Sequence, residues 1–267
     1  MAIHGLTFYA KSFDSFAKHL ASQGYVVYAQ DLRGFGRWKQ EPAKFNGDTD
    51  IHWDLNEPDL KRVLAAIRKA HPGVPVIGLG ESLGANYMLE LLADGEPLDG
   101  AILAGPSIDT KANPRLRWLV DGIKGVLQPT KPMDVKPYMS VTVSNDAQIV
   151  KGIMRDKNMN QELSPVDLIK AQTLNIRTRA TTEELPQRVP ILILAGELDK
   201  MFNHKATKKF AKKLTQQHVT YHTVPGEGHL LIEHRPVSPK ISQLVKNWLR
   251  RAHGIIAQNK RIPRGYM

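Results

Sequence analysis

The sequence predicts an α/β fold built on a mostly parallel, doubly wound sheet with one helical insertion. Three observations carry that prediction. Short unbroken apolar runs alternate with helical stretches along most of the 267 residues. One run ends in Gly80-Glu81-Ser82-Leu83-Gly84, a G-x-S-x-G turn followed at once by a helical pattern. The rhythm then breaks between about residues 106 and 187, where helix-like pieces occur without a convincing core strand.

Taken in order, residues 11–24 read as a helix, with Phe13, Phe16, Ala17 and Leu20 on one face and Gly24 as its stop. Residues 25–31 read as a buried strand. Asn56-Glu57-Pro58-Asp59 opens the next helix, with proline near its first position and acids in its first turn. Leu60, Val63, Leu64 and Ile67 form its core stripe, and His71-Pro72-Gly73 ends it. A strand at 74–80, a helix at 83–94 and a strand at 100–105 follow. Repeats of this kind require right-handed crossovers and a parallel sheet covered on both faces. Beyond the interruption, 189–196 is a short unbroken apolar strand and 219–224 an alternating one. Within 106–187, residues 115–127, 146–154 and 165–182 read as helices. A long insertion in a compact domain tends to be functional, so 106–187 is expected to cap Ser82, with 1–105 and 188–267 as the core.

Ser82 is the candidate nucleophile. Glycines flank it because the turn leaves no room for side chains, and the turn lifts the hydroxyl above the sheet. The Leu83 amide then points at a carbonyl under attack. A base and an acid are expected in the order Ser, Asp, His. Asp199 sits just past the strand at 189–196, with Glu197 a rival carboxylate nearby. His229 lies in the Pro225-Gly226-Glu227-Gly228 loop after the strand at 219–224. His222 lies inside that strand and His234 at the approach to the last helix, so both read as structural. All three candidates fall at the carboxyl edge of the sheet, where open α/β sheets place their sites.

On these residues the chain resembles the α/β-hydrolase superfamily, and within it the monoacylglycerol lipase and lysophospholipase-like serine hydrolases. Ile3-His4-Gly5, the run from Tyr25 to Gly34, the Ser82 turn, Gly196 to Asp199 and Gly228-His229 carry the likeness. The resemblance implies a second oxyanion amide at Leu6, beside that of Leu83. It implies hydrolysis of an ester through an acyl-serine, with lipid monoesters as substrates. A small-ester carboxylesterase, thioesterase, acyltransferase, amidase or peptidase on the same machinery, or a non-catalytic binding protein, are the alternatives. The family's first two strands, an antiparallel hairpin, are expected to be missing here, the strand before His4 being reduced to Met1-Ala2-Ile3.

With no cysteine, thiolate catalysis, disulfides and Cys-ligated zinc are excluded. His218 and His222 are spaced like metal ligands but on a strand, and Gly78-Leu79-Gly80 does not complete a dinucleotide loop, so neither cofactor nor metal is expected. A formal charge of +11 is spread over pairs such as Lys61-Arg62, Lys212-Lys213 and Arg250-Arg251. That pattern predicts a solvated basic surface with weak attraction to anionic membranes rather than nucleic-acid binding. No run is long enough for a membrane helix, and residues 1–14 do not read as a signal peptide. A soluble cytoplasmic protein acting on a small-molecule ester substrate is the expectation.

Overall fold

The computed structural model describes residues 1–109, 128–180, 185–186, 188–214 and 218–261. Its strands are β1 (Ala2–Ile3), β2 (Ala29–Gln30), β3 (Ile77–Glu81), β4 (Gly100–Ala104), β5 (Met133–Asp134), β6 (Glu162–Leu163), β7 (Ile191–Gly196) and β8 (Val219–Val224). Six of them form one sheet in the order β2-β1-β3-β4-β7-β8, and every neighbouring pair is parallel. The β5–β6 pair stands apart and is antiparallel.

Side chains alternate across the sheet, as the pleat demands. Ile3, Ala101, Leu103, Ile191 and Ile193 face one layer of helices. That layer consists of α2 (Trp53–Ala70), α3 (Leu83–Ala93) and α7 (His204–Lys213). Ala2, Leu79, Ile102, Leu192 and Leu194 face the other layer, formed by α1 (Asp14–Ala21) and α8 (Pro239–Arg261). Trp248 of α8 is the largest fully buried side chain among the described residues. The doubly wound expectation therefore holds, with a helix layer on each face.

Two expectations need correction. The stretch at 25–31 is not a buried strand: only Ala29–Gln30 pairs, and it does so at the edge of the sheet. There Tyr25, Val27 and Ala29 lean on the core while Val26 is 67% exposed and Tyr28 39%. An unbroken apolar run fixes strand propensity, but an edge position leaves one face uncovered. Helix α2 starts at Trp53 rather than beside Pro58, so the proline lies inside the helix. Tertiary contacts explain the earlier start. The Trp53 indole donates to Asp167, and buried Asn56 accepts from the Arg33 amide and donates to the Tyr87 hydroxyl. The expected core stripe is otherwise in place, with Leu60, Leu64 and Ile67 buried.

Between β4 and β7, the described part of the insertion contains α4 (Lys136–Thr142), α5 (Ala147–Arg155) and α6 (Pro165–Ala180). The last two match the helices expected at 146–154 and, to its described end, 165–182. The helix expected at 115–127 lies outside the described residues. An Asp146 side chain caps α5 by accepting from the amides of Gln148 and Ile149. Val135, Met139, Val143, Ile149, Ile153, Met159 and Leu163 form an apolar cluster that also takes in Phe8, Tyr9 and Leu230. The segment therefore packs on the loops that follow His4-Gly5 and His229. Helix α6 is tied to α3 by buried polar contacts: Asn86 donates to Asn175, Thr178 donates to Glu90, and Arg177 pairs with Glu90.

The two environments of the sheet give a stability contrast. Leu103→Ala, which empties a fully buried site on β4, should cost about 2–5 kcal/mol in denaturant unfolding. Val26→Thr on the edge should stay within about 0.5 kcal/mol.

Candidate active site

Strand β3 runs into Ser82, whose backbone sits at φ 55° and ψ −118°, and α3 begins with the next residue. A non-glycine residue at positive φ is strained, and such strain persists only where the surroundings impose it. They do so through Gly80 and Gly84. A Cβ on Gly80 would collide with the backbone of Gly84, and a Cβ on Gly84 would collide with the carbonyl of Ile3. The helix thus lies directly on β1 and β3. The Ser82 amide continues the ladder by donating to Ala104 O at 2.8 Å. As the first residue of α3, Leu83 has an amide that no carbonyl of its own helix can reach.

Asp199 follows β7 and is 2% exposed. Its Oδ1 accepts from the amides of Met201 at 2.7 Å and Phe202 at 3.0 Å. Its Oδ2 lies 2.9 Å from His229 Nδ1. Ionised carboxylates only accept, so Nδ1 carries the proton and Nε2 is left as the basic nitrogen. The rival Glu197 is exposed and accepts from the Gly226 amide instead. His229 follows β8 and is also 2% exposed, with the Phe202 ring 5.1 Å away. Its ring rests on Gly105, where a Cβ would stand 3.2 Å from Cε1. Ser82, Asp199 and His229 thus follow β3, β7 and β8 at the same edge of the sheet. His234 pairs with Asp156, and His222 lies in register with Leu194 on the last strand, in keeping with structural roles for both.

Burial disfavours a charged imidazole at His229, but the charge and hydrogen bond of Asp199 more than offset it, with Glu81 adding to them. The pKa of His229 is therefore raised above its ordinary value. Burial likewise opposes ionisation of Asp199, yet His229 and the two amides hold its pKa below the usual carboxylate value.

Leu6 lies between two pinned peptide groups. The Gly5 amide donates to Glu233 Oε2 at 2.9 Å, and Thr7 O accepts from the Asn160 amide at 2.9 Å. Thr7 itself sits at φ 76°, an uncommon conformation for a β-branched residue. His4 is fully buried, accepts from the Leu32 amide at Nε2 and is held neutral, its pKa lowered to about 4 by burial. The sequence reading passed over two residues of this neighbourhood, Glu81 and Glu233. Both are fully buried carboxyls. The available signal was an acid inside an apolar stretch, at the end of Ile77-Gly78-Leu79-Gly80 and of Leu230-Leu231-Ile232.

The family model described as serine aminopeptidase, S33 matches residues 1–235. The chain belongs to that family of α/β-hydrolases. It is a hydrolase of the esterase and lipase kind. A monoglyceride lipase homolog of Monkeypox virus is 25% identical over 253 residues, covering 92% of this chain and 87% of that protein. A monoacylglycerol lipase of Mycolicibacterium smegmatis (strain ATCC 700084 / mc(2)155) is 24% identical over 258 residues, covering 92% and 85%. Among solved structures, a soluble variant of the Saccharomyces cerevisiae monoglyceride lipase in complex with a substrate analog superposes with a TM-score of 0.75. It is 17% identical and the match covers 95% of this chain and 84% of that one. At that identity the likeness shows the shared fold.

The His229 shift has a direct check. Asp199→Asn leaves burial acting without the opposing charge, so the imidazole pKa should fall. Titration of the His229 ring by NMR in both proteins measures it.

Proposed function

We propose that this hydrolase cleaves carboxylic esters through an acyl-serine intermediate, with lipid monoesters such as monoacylglycerols or lysophospholipids as substrates. The buried Asp199–His229 hydrogen bond, at the sheet edge where Ser82 is lifted on its strained turn, is the observation that carries this reading. His229 Nε2 takes the Ser82 proton as the hydroxyl oxygen attacks the ester carbonyl. Asp199 holds the imidazole in that tautomer and stabilises the imidazolium. The amides of Leu6 and Leu83 donate to the oxyanion, where one donor is typically worth about 10²–10³ in rate. His229 then gives its proton to the leaving alcohol, activates water in turn, and the acid product departs.

Residues 106–187 act in this reading as the cap that selects the acyl chain. The relatives named monoglyceride lipase homolog and monoacylglycerol lipase support a single-chain lipid substrate. So does a basic surface that attracts anionic interfaces, the formal charge being +11. Esters with short acyl groups are the second reading, and cap packing favours them. Met139, Ile149 and Ile153 are buried in the cap's own cluster and are not left over to line a tunnel.

Ser82→Ala should lower kcat about 10⁴–10⁶-fold and abolish labelling by a fluorophosphonate probe, with the melting temperature preserved. Across a p-nitrophenyl ester series, kcat/KM should peak at a medium or long acyl chain. A maximum at acetate would leave a small-ester carboxylesterase, and wild-type turnover by Ser82→Ala would remove the acyl-serine mechanism.

A further inference from the structure

Two buried carboxyls flank the site without taking part in the proton transfers above. Glu81 precedes Ser82 and projects toward the loop after His229. Its oxygens accept from three successive amides, those of Leu231 at 2.5 Å, Ile232 at 3.1 Å and Glu233 at 2.6 Å. Such a row of amides satisfies a carboxylate anion and leaves no acceptor for a carboxylic proton.

Glu233 has the opposite surroundings. Its Oε2 accepts from the Gly5 amide at 2.9 Å, while its Oε1 lies 2.6 Å from Ser12 Oγ. Ser12 Oγ is also 2.6 Å from Tyr9 O. One serine hydroxyl has one proton and a backbone carbonyl has none. The Ser12 proton must lie toward Tyr9 O, since two oxygens at that separation with no hydrogen between them repel. The contact between Ser12 Oγ and Glu233 Oε1 is equally short and needs a proton of its own. Only the carboxyl can supply it.

We propose that Glu233 is a neutral carboxylic acid that donates to Ser12 and accepts from Gly5, and so acts as the positioning residue of the loop carrying the Leu6 amide. This rests on the reading of Leu6 and Ser82 given above. The placement has a chemical purpose. A Cβ on Gly5 would lie 3.1 Å from Glu233 Oε2 and 3.3 Å from Ser82 Cβ, so the carboxyl and the nucleophile flank the same glycine. A second anion there would oppose the negative charge that develops on the attacked carbonyl oxygen. A neutral acid grips the loop with no such penalty.

The surrounding charges are consistent with this assignment. Burial and the charge of Glu81 push the Glu233 pKa well above the ordinary carboxyl range. Burial raises the Glu81 pKa as well, against the opposing pull of its three amides and His229, whereas the Glu233 pKa has the charge of Glu81 adding to burial. Of the other titratable groups nearby, His4 is neutral and His234 faces Asp156.

Glutamine reproduces the proposed hydrogen bonds of Glu233, its NH₂ donating to Ser12 and its carbonyl accepting from Gly5, whereas alanine removes both. Infrared difference spectra of wild type against Glu233→Gln at neutral pH should show loss of the band of one protonated carboxyl. Glu233→Gln should keep kcat within roughly threefold of wild type, and Glu233→Ala should lose about 10²-fold in kcat with little change in KM. Absence of a protonated-carboxyl band in wild type would overturn the proposal. So would a folded Glu233→Gln as impaired as Glu233→Ala. If Glu233→Ala does not fold, the spectrum and the glutamine variant still decide. The infrared result does not depend on turnover, so failure of the esterase reading, seen as an unreactive Ser82 in wild type, is distinguishable from failure of this one.

Discussion

Helix α3 presses its first turn onto the backbone of Ile3 and His4, and the missing side chain of Gly84 is what permits it. Much of the structure depends on that approach. It brings Ser82, the Leu83 amide and the chain leading to Leu6 side by side, although residues 3–6 and 82–84 are far apart in sequence. It also sinks the helix so deep that residues Leu83 through Leu92 are all buried. Buried polar groups need partners, so Asn86 and Glu90 draw in Asn175, Thr178 and Arg177 of α6. The location of the helix that closes the insertion is thus set by the same close contact that shapes the serine turn.

The central strands were legible in the sequence because burial on both faces writes an unbroken apolar run, as at Ile191–Gly196 and Gly100–Ala104. The three candidate site residues were legible for a related reason: each ends a strand, in a fixed chain order. The edge strand misled because Tyr25 to Ala29 has the same apolar character as a central strand while one of its faces is open. Where a helix begins is decided by partners, and neither Asp167 near Trp53 nor Tyr87 near Asn56 is visible from residues 53–58. The carboxyl pair was missed on the same ground. Nothing local to Glu81 shows that its ligands are three amides at the far end of the chain.

The insertion is fastened to the core by an apolar centre and a polar margin. Phe8, Tyr9 and Leu230 enter the apolar cluster of α4 and α5. At the margin, the Tyr9 hydroxyl donates to Asp156 at 2.8 Å, His234 shares that carboxylate, and the Asn160 amide holds Thr7 O. Every one of these core partners belongs to the loop after Gly5 or the loop after Gly228. The geometry of the insertion and the positions of Leu6 and His229 are therefore not independent variables. A displacement of the segment around Asp156 and Asn160 would be felt first at Thr7, whose backbone is already in an unfavourable conformation.

Because Glu81 finds its amide partners 150 to 152 residues later, translation separates them in time. At about 5–20 residues per second, roughly 8–30 s pass between synthesis of the serine turn and of Leu231 to Glu233. Over that interval the carboxylate has only water to solvate it, and burying it unpartnered would cost several kcal/mol. The nascent sheet therefore stays open at the edge that carries Ser82 until residues 231–233 have been made. The strand leading to Ser82 is synthesised well before the amides that seat its last residue.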